Sequence, residues 1–212
     1  MARVVFARAR RTLVTGLLVL ALGAIAAPPA HAGPRPPEAV VKAYYAKLVL
    51  VLQNAKKLGF QGRYEALEPA IRESFDMHFI TAVSVGHFWK KFTEDQRNKT
   101  REAMRQLSTA TYAARFTSYA GEQFQVLGKR TTSRGDVIVL TRIVKRDGEK
   151  VKINYLLRKR TTEWRIIDVH LKGTISELAK WRAEFSSILR RKKGYDGLIT
   201  AIDAKIKRLS TE

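Results

Sequence analysis

Few residues in this 212-residue chain are of types that could do chemistry. It contains no cysteine, which removes disulfide frameworks, thiolate metal sites, cysteine nucleophiles and an acylated lipoprotein cysteine together. The histidines are His31, His78, His87 and His170. No two of them stand at the i, i+2 or i, i+4 spacing that would place two imidazoles on one metal ion. Asp168 and His170 share one face of an expected strand, because side chains alternate with period two, so a His–Asp hydrogen bond is available there. The chain has no Gly-x-Ser-x-Gly elbow and no glycine-rich phosphate loop, so this pair reads as a polar strand end and not as a catalytic dyad. The sequence argues against an enzyme and implies neither a metal nor a cofactor.

Charge is abundant. Lys and Arg number 40 against 19 Asp and Glu, a formal charge of +21, and that surplus seeks an anionic partner, either nucleic acid or an anionic membrane surface. The N-terminus separates the two. Arg3, Arg8, Arg10 and Arg11 precede an apolar run over residues 13–27, and Ala30-His31-Ala32 follows with small side chains where a signal peptidase needs them. The run is shorter than the roughly 20 residues that span a bilayer. Residues 1–32 are therefore expected to be a cleaved secretory signal, and residues 33–212 a single domain. An exported protein meets no genomic DNA, so nucleic acid is set aside.

The elements that must position any site follow from periodicity. Val41, Tyr44, Leu48, Val51, Leu52 and Ala55 make one apolar stripe on a helix over 38–58, with Gly59 and Gly62 as the break. Tyr64, Leu67 and Ile71 predict a second helix over 63–74. A short apolar stretch then runs from Phe75 to Val85, ahead of Gly86. Thr93-Glu94-Asp95-Gln96 is a capping box that opens a long helix, expected over 94–119. After Gly121 the period changes to two, predicting strands over 124–129, 137–144, 151–158 and 164–171. Asp147-Gly148 marks a hairpin of the type I′ kind. A helix from Ile175, a break at Gly194 and a last helix to Leu209 complete the chain. The fold class is α+β, with helices packed on one face of a curved four-stranded antiparallel sheet.

Two groups of residues remain. The aromatics, among them Phe75, Phe79, Trp89, Phe116, Tyr155, Trp164 and Phe185, would line either a filled core or an apolar ligand cavity, since both use the same side chains. Lys145, Arg146, Lys150, Lys152 and Arg158 gather on two adjacent strands and their turn. They form either a solvated edge or a patch that docks on anionic headgroups.

Several short motifs carry a resemblance. Phe75-Asp76-Met77, Val85-Gly86-His87-Phe88-Trp89, Thr93-Glu94-Asp95-Gln96-Arg97, Val151-Lys152-Ile153-Asn154-Tyr155, Trp164-Arg165-Ile166-Ile167-Asp168-Val169 and Asp196-Gly197-Leu198-Ile199 stand in order between Tyr64 and Ile202. In order and spacing they resemble the MlaC family of periplasmic lipid-binding proteins. The resemblance implies a nuclear-transport-factor-2-like cone with an apolar cavity and a periplasmic location. It implies a phospholipid cargo passed between an inner-membrane transporter complex and an outer-membrane lipoprotein complex, with peripheral membrane contact, to maintain outer-membrane lipid asymmetry. The segment Lys172-Gly173-Thr174-Ile175-Ser176-Glu177 departs from the usual family pattern and is closer to the hopanoid-associated branch, so a hopanoid is the alternative cargo. Inward periodicity and the family analogy together place Phe75, Phe79, Val83, Trp89, Phe116, Val139, Tyr155, Trp164, Ile166 and Phe185 at the cavity. The remaining alternatives are an enzyme on the same cone, centred on Asp168 and His170, and a periplasmic scaffold protein with a filled core.

Overall fold

Pro37 begins the first helix of the computed structural model, which describes residues 35–211; the expected signal segment lies outside them. Proline suits the first helical position, where its fixed φ is already helical and its missing amide would have no partner. α1 (Pro37–Gln53) buries Val40, Val41, Tyr44, Tyr45, Leu48, Val51 and Leu52, which is the predicted stripe widened by Val40 and Tyr45, with Ala55 passing to the next helix. It stops at Asn54, short of Leu58, and α2 (Ala55–Ser74) follows directly. Gly59 is a kink inside α2, not a helix boundary, with φ 61° and ψ −173°, a backbone that glycine alone adopts readily.

The Asp76 side chain accepts the Phe79 amide at 2.9 Å and starts α3 (Met77–Val85). A 3₁₀ turn over Gly86–Lys91 leads to α4 (Glu94–Arg115). The capping box forms in full: the Gln96 amide donates to the Thr93 hydroxyl at 3.2 Å, and the Thr93 amide to the Gln96 side chain at 3.0 Å. α4 ends at Arg115, earlier than the expected Tyr119, where Phe116 leaves the helix with φ −110° and ψ 76°. That exit lays the Phe116 ring parallel to Tyr112, with centroids 6.0 Å apart.

The sheet is an antiparallel meander of β1 (Gln123–Thr131), β2 (Val137–Val144), β3 (Lys150–Lys159), β4 (Trp164–Leu171) and β5 (Ile175–Ser176), in that order. The four expected strands become five because Ile175 and Ser176, assigned to a helix by periodicity, pair with Leu171 and His170. Lys172 (φ 51°) and Gly173 (φ 82°) turn the chain back for that pairing. α5 (Glu177–Ile188), a π turn over Leu189–Lys193 and α6 (Gly194–Leu209) follow.

The hairpin at Asp147-Gly148 is present, but its loop is longer than a type I′ turn. The Gly148 amide donates to the Lys145 carbonyl at 3.0 Å, and the Lys145 amide to the Glu149 carbonyl at 2.9 Å, with only Gly148 at positive φ. The β1–β2 loop repeats this pattern with Thr132, Gly135 and Asp136. Bulges at Val126/Gly128 and Leu156/Leu157 add bend and twist, so the sheet curves but stays open. The outer edge of β4 is covered twice, by β5 at one end and by Phe75 at the other, where the Asp76 amide donates to the Ile166 carbonyl at 2.9 Å. α1 lies against β1, β2 and β4, while α3 and α5 lie against β4. The core fills the space between these helices and the sheet.

Candidate functional site

The stripe of α1 brings Tyr44 and Tyr45 to the centre of the interior. Tyr44 meets Phe75, Tyr112 and Tyr155 edge-on at 5.4, 5.7 and 6.1 Å. Tyr45 meets Phe124 and Tyr155 at 5.0 and 5.6 Å. Phe116 links Tyr112 to Phe124 at 6.0 and 6.4 Å. Rings from two helices, the α2–α3 junction, the end of α4 and two strands thus form one continuous cluster. Each such pair adds about 0.5–1.5 kcal/mol beyond the area it buries.

Among the spaces that border the cluster are an inner cavity and an outer pocket. The inner cavity of about 20 Å³ is walled by Phe75, Ile80, Tyr112, Ile167, Leu178 and Trp181, with Arg115, Asp168 and Glu177 as polar neighbours. It has room for about one water molecule. The outer pocket of about 310 Å³ is walled by Leu52, Phe116, Phe124, Ile143, Val151 and Ile153, with the exposed Arg115 and Lys145 beside Glu122. That volume lies at the small end of the roughly 300–1,000 Å³ typical of ligand sites. Arg115 lines both spaces.

Polar groups inside are few and mostly satisfied. The Asp168 carboxylate accepts from the amides of Val169 at 2.7 Å and Leu178 at 3.0 Å and from the Ser176 hydroxyl at 2.6 Å, and it lies 3.1 Å from His170 Nε2. Burial alone would raise its pKa, but the His170, Ser176 and Leu178 bonds outweigh burial and hold the carboxyl below its ordinary value. Ser176 Oγ also accepts the Ala179 amide at 2.9 Å. His170 and Ser176 thus both bind the carboxylate, and the cluster fastens the start of α5 to β4. Burial pushes Tyr45 up to about 12 and raises Tyr44, Tyr112 and Tyr155 as well, so all four phenols stay protonated. Tyr45 bonds the Thr141 hydroxyl at 2.6 Å. Among the described residues the buried Tyr44 hydroxyl makes no hydrogen bond of ordinary geometry, and its polar neighbour is the Tyr112 phenol.

Of the residues expected at the cavity, Phe75, Val139, Tyr155, Ile166 and Phe185 are buried in the core. Only Phe75 lines the inner cavity and Phe116 the outer pocket. Trp164 lies at a separate cleft with Tyr44 and Glu163, and Trp89 packs near Phe92, His78 and Arg97. Phe79 is half-buried beneath Arg158 and Arg160, whose guanidinium carbons lie 4.5 and 5.9 Å from its ring centre, and Val83 is half-buried on α3. Sequence reasoning assigned Tyr44, Tyr112, Phe124 and Trp181 no place at the cavity. The i, i+1 pair Tyr44-Tyr45, too wide for a narrow stripe, was the available signal.

The basic residues divide. Lys145 pairs with Glu149 at 2.5 Å, and Arg158 holds Asp136 with both arms at 2.8 and 2.7 Å. Arg146, Lys150 and Lys152 are exposed, and no ion pair involves them among the described residues. Elsewhere a groove of about 500 Å³ is lined by Arg72, Arg105, Arg160 and Arg165. There Arg72 and Arg105 share Glu68, Arg160 pairs with Asp76, and Arg165 with Glu163. Among the described residues no group of His, Asp and Glu could hold a metal ion, and no helix is long and apolar enough to cross a membrane.

Fold and site together define a small α+β domain built around an aromatic apolar interior, with a pocket at one rim and a basic hairpin beside it. The chain matches the family model described as MlaC protein over residues 42–204 and belongs to that family. Among solved structures it is similar to the phospholipid-binding protein from Ralstonia solanacearum, determined in complex with a phospholipid. The TM-score is 0.73 at 19% identity, covering 82% of this chain and 98% of that one, so the fold is shared. No curated protein matches the chain significantly.

Proposed function

We propose that this protein is a periplasmic lipid carrier. It takes the acyl chains of a phospholipid between its helices and sheet and exchanges the lipid between an inner-membrane transporter complex and an outer-membrane lipoprotein complex. Family membership carries this reading. The aromatic interior with its rim pocket and the phospholipid complex of the structural relative support it. The physical demand is plain: each CH₂ taken from water is worth about 0.8 kcal/mol, so a membrane lipid crosses an aqueous space only inside a carrier. The inner cavity of about 20 Å³ is too small for a chain, so loading has to part the helices from the sheet. The unpaired Arg146, Lys150 and Lys152 beside the rim then guide the carrier to anionic membrane.

The small inner cavity also favours a second reading, a scaffold with a filled core. Native mass spectrometry with lipid extraction, on protein purified from its own periplasm without detergent, separates the two. About one phospholipid per chain is the expected result, and a hopanoid at the same stoichiometry would change the cargo alone. A lipid-free mass with no uptake from vesicles would establish the scaffold.

A further inference from the structure

The two sides of the sheet differ in their cover. β4 is flanked by β5 and by Phe75, whereas β1 has β2 as its only strand partner among the described residues. Every second N–H and C=O of β1 therefore points away from the sheet, and such an edge is a template for another strand. Half of it is guarded. Lys129, Arg130 and the bulge at Val126/Gly128 occupy the far half of β1, and both basic side chains and bulges deter edge pairing. Residues 123–126 carry no charge and pair with β2 in unbroken register. Beside this open half lies a groove of about 560 Å³, walled by Phe124 and Val126 from β1 and by Ala46, Val49 and Leu50 from α1. Phe124 and Val126 belong to the face that α1 covers, as the contact of Phe124 with the Tyr45 ring at 5.0 Å shows. Lys42, Ala46, Val49 and Gln53 all line the groove and follow one another at helical spacing, so a flank of α1 overhangs the place where a further strand would lie. Leu50 on that flank and Leu127 at the bulge are 58% and 53% exposed, more than any other large apolar side chain among the described residues.

We propose that the β1 edge and the α1 flank form a docking groove for an extended, acidic segment of a partner protein, which adds a strand along residues 123–126. The backbone selects the kind of partner. Outward N–H and C=O groups are satisfied by another strand, whereas lipid offers them no hydrogen bonds, so Leu50 does not serve to enter a membrane. The pleat then sets alternate side chains of the segment against Ala46, Val49 and Leu50 and turns the others away. Charge selects the sign. Lys42 is the charged residue of the groove, and no ion pair involves it among the described residues, because Glu38, one turn earlier, is held by Lys129 at 2.9 Å. A second copy of this chain, at +21, would bring like charge to the same place. The groove shares only Phe124 with the outer pocket, and the proposal stands apart from the carrier reading.

The test selects short peptides from a random library displayed on phage, against the whole protein. Wild type is expected to enrich sequences that alternate apolar and polar residues and carry Asp or Glu. Leu50→Lys changes a side chain that is already exposed. It is expected to weaken a selected peptide by about tenfold or more while melting temperature and lipid stoichiometry stay at wild-type values. Lys42→Glu is expected to remove the preference for acidic peptides. Bound peptide is expected to slow hydrogen exchange at alternate amides within residues 123–126, which side-chain contact alone would not do, and methylating the backbone nitrogens of the peptide is expected to abolish binding. No enriched peptide, equal binding by Leu50→Lys, or unchanged exchange in β1 would overturn the proposal. A wild-type dimer that Leu50→Lys dissolves would overturn it in favour of a second copy, and phosphatidylglycerol vesicles that bind wild type but not Leu50→Lys would overturn it in favour of a membrane.

Discussion

Two arginine- and lysine-rich surfaces of this protein have different chemistry. In the groove beneath α3, Arg72, Arg105, Arg160 and Arg165 each meet a carboxylate, and Arg165 also caps the carbonyls of Arg72 and Glu73 at the end of α2. At the β2–β3 hairpin, Lys145 alone is paired with an acid, while Arg146, Lys150 and Lys152 face solvent. The first surface is internally neutralised and stitches α2, α3, α4 and the strand turn together. The second holds charge in reserve beside the apolar pocket. Composition counts both alike, and only the fold decides which cations remain for a partner.

Reversing the second surface should have the largest effect. Arg146→Glu, Lys150→Glu and Lys152→Glu together should weaken binding to anionic vesicles by on the order of a hundredfold or more, at about 1 kcal/mol per cation near such a surface. Co-sedimentation at low and high salt measures this, and an unchanged salt dependence would reduce the hairpin to a solubility device. Next comes the interior. Val139→Trp overfills a fully buried site and should cost about 1–3 kcal/mol and lower lipid stoichiometry in extraction. Phe79→Trp, beneath its two arginines, should leave stoichiometry near wild type, and equal losses in both would erase the distinction between core and surface.

Asp168→Asn should destabilise the fold by about 1–3 kcal/mol at pH 7, because it weakens the fastening of α5 to β4. The sign with pH follows from the lowered carboxyl. The stabilisation is complete above the unfolded value near 3.9 and fades as pH falls through the lower folded value. Urea unfolding should therefore separate mutant from wild type at pH 7 and bring them together in strong acid. The smallest effect is expected from Glu68→Gln, which frees Arg72 and leaves Arg105 to Glu102. It should cost under about 1 kcal/mol and give the neutralised groove a weak, salt-sensitive affinity for anionic vesicles. No gain would mean that pairing is not what distinguishes the two surfaces.

Much of the architecture was legible from local rules. The capping box at Thr93 and Gln96 forms with both hydrogen bonds, and the strand periods over 137–144, 151–158 and 164–171 recover the meander. What failed was non-local. Ile175 and Ser176 continue a helical spacing, yet pairing with β4 makes them a strand, and two residues cannot announce that in sequence. Phe116 fits the α4 stripe but leaves the helix to stack on Tyr112. Phe79 sits one residue before the buried Ile80, and helical geometry gave no sign that Arg158 and Arg160, far along the chain, would cover it. The aromatic interior was therefore foreseeable as a composition, whereas the order of its rings depended on which helix ended where.

The short parallel bridge between Phe75 and Ile166 has a further use. One residue, Phe75, is both a wall of the inner cavity and a stitch on the sheet edge, and the next amide, Asp76, donates to Ile166. Any ligand that displaces the Phe75 ring pulls on that single hydrogen bond before it disturbs the ladder between β3 and β4. Deuterium uptake at the Asp76 amide should consequently rise when lipid is bound while the β4 amides stay protected, making one proton a gauge of occupancy that needs no label on the lipid.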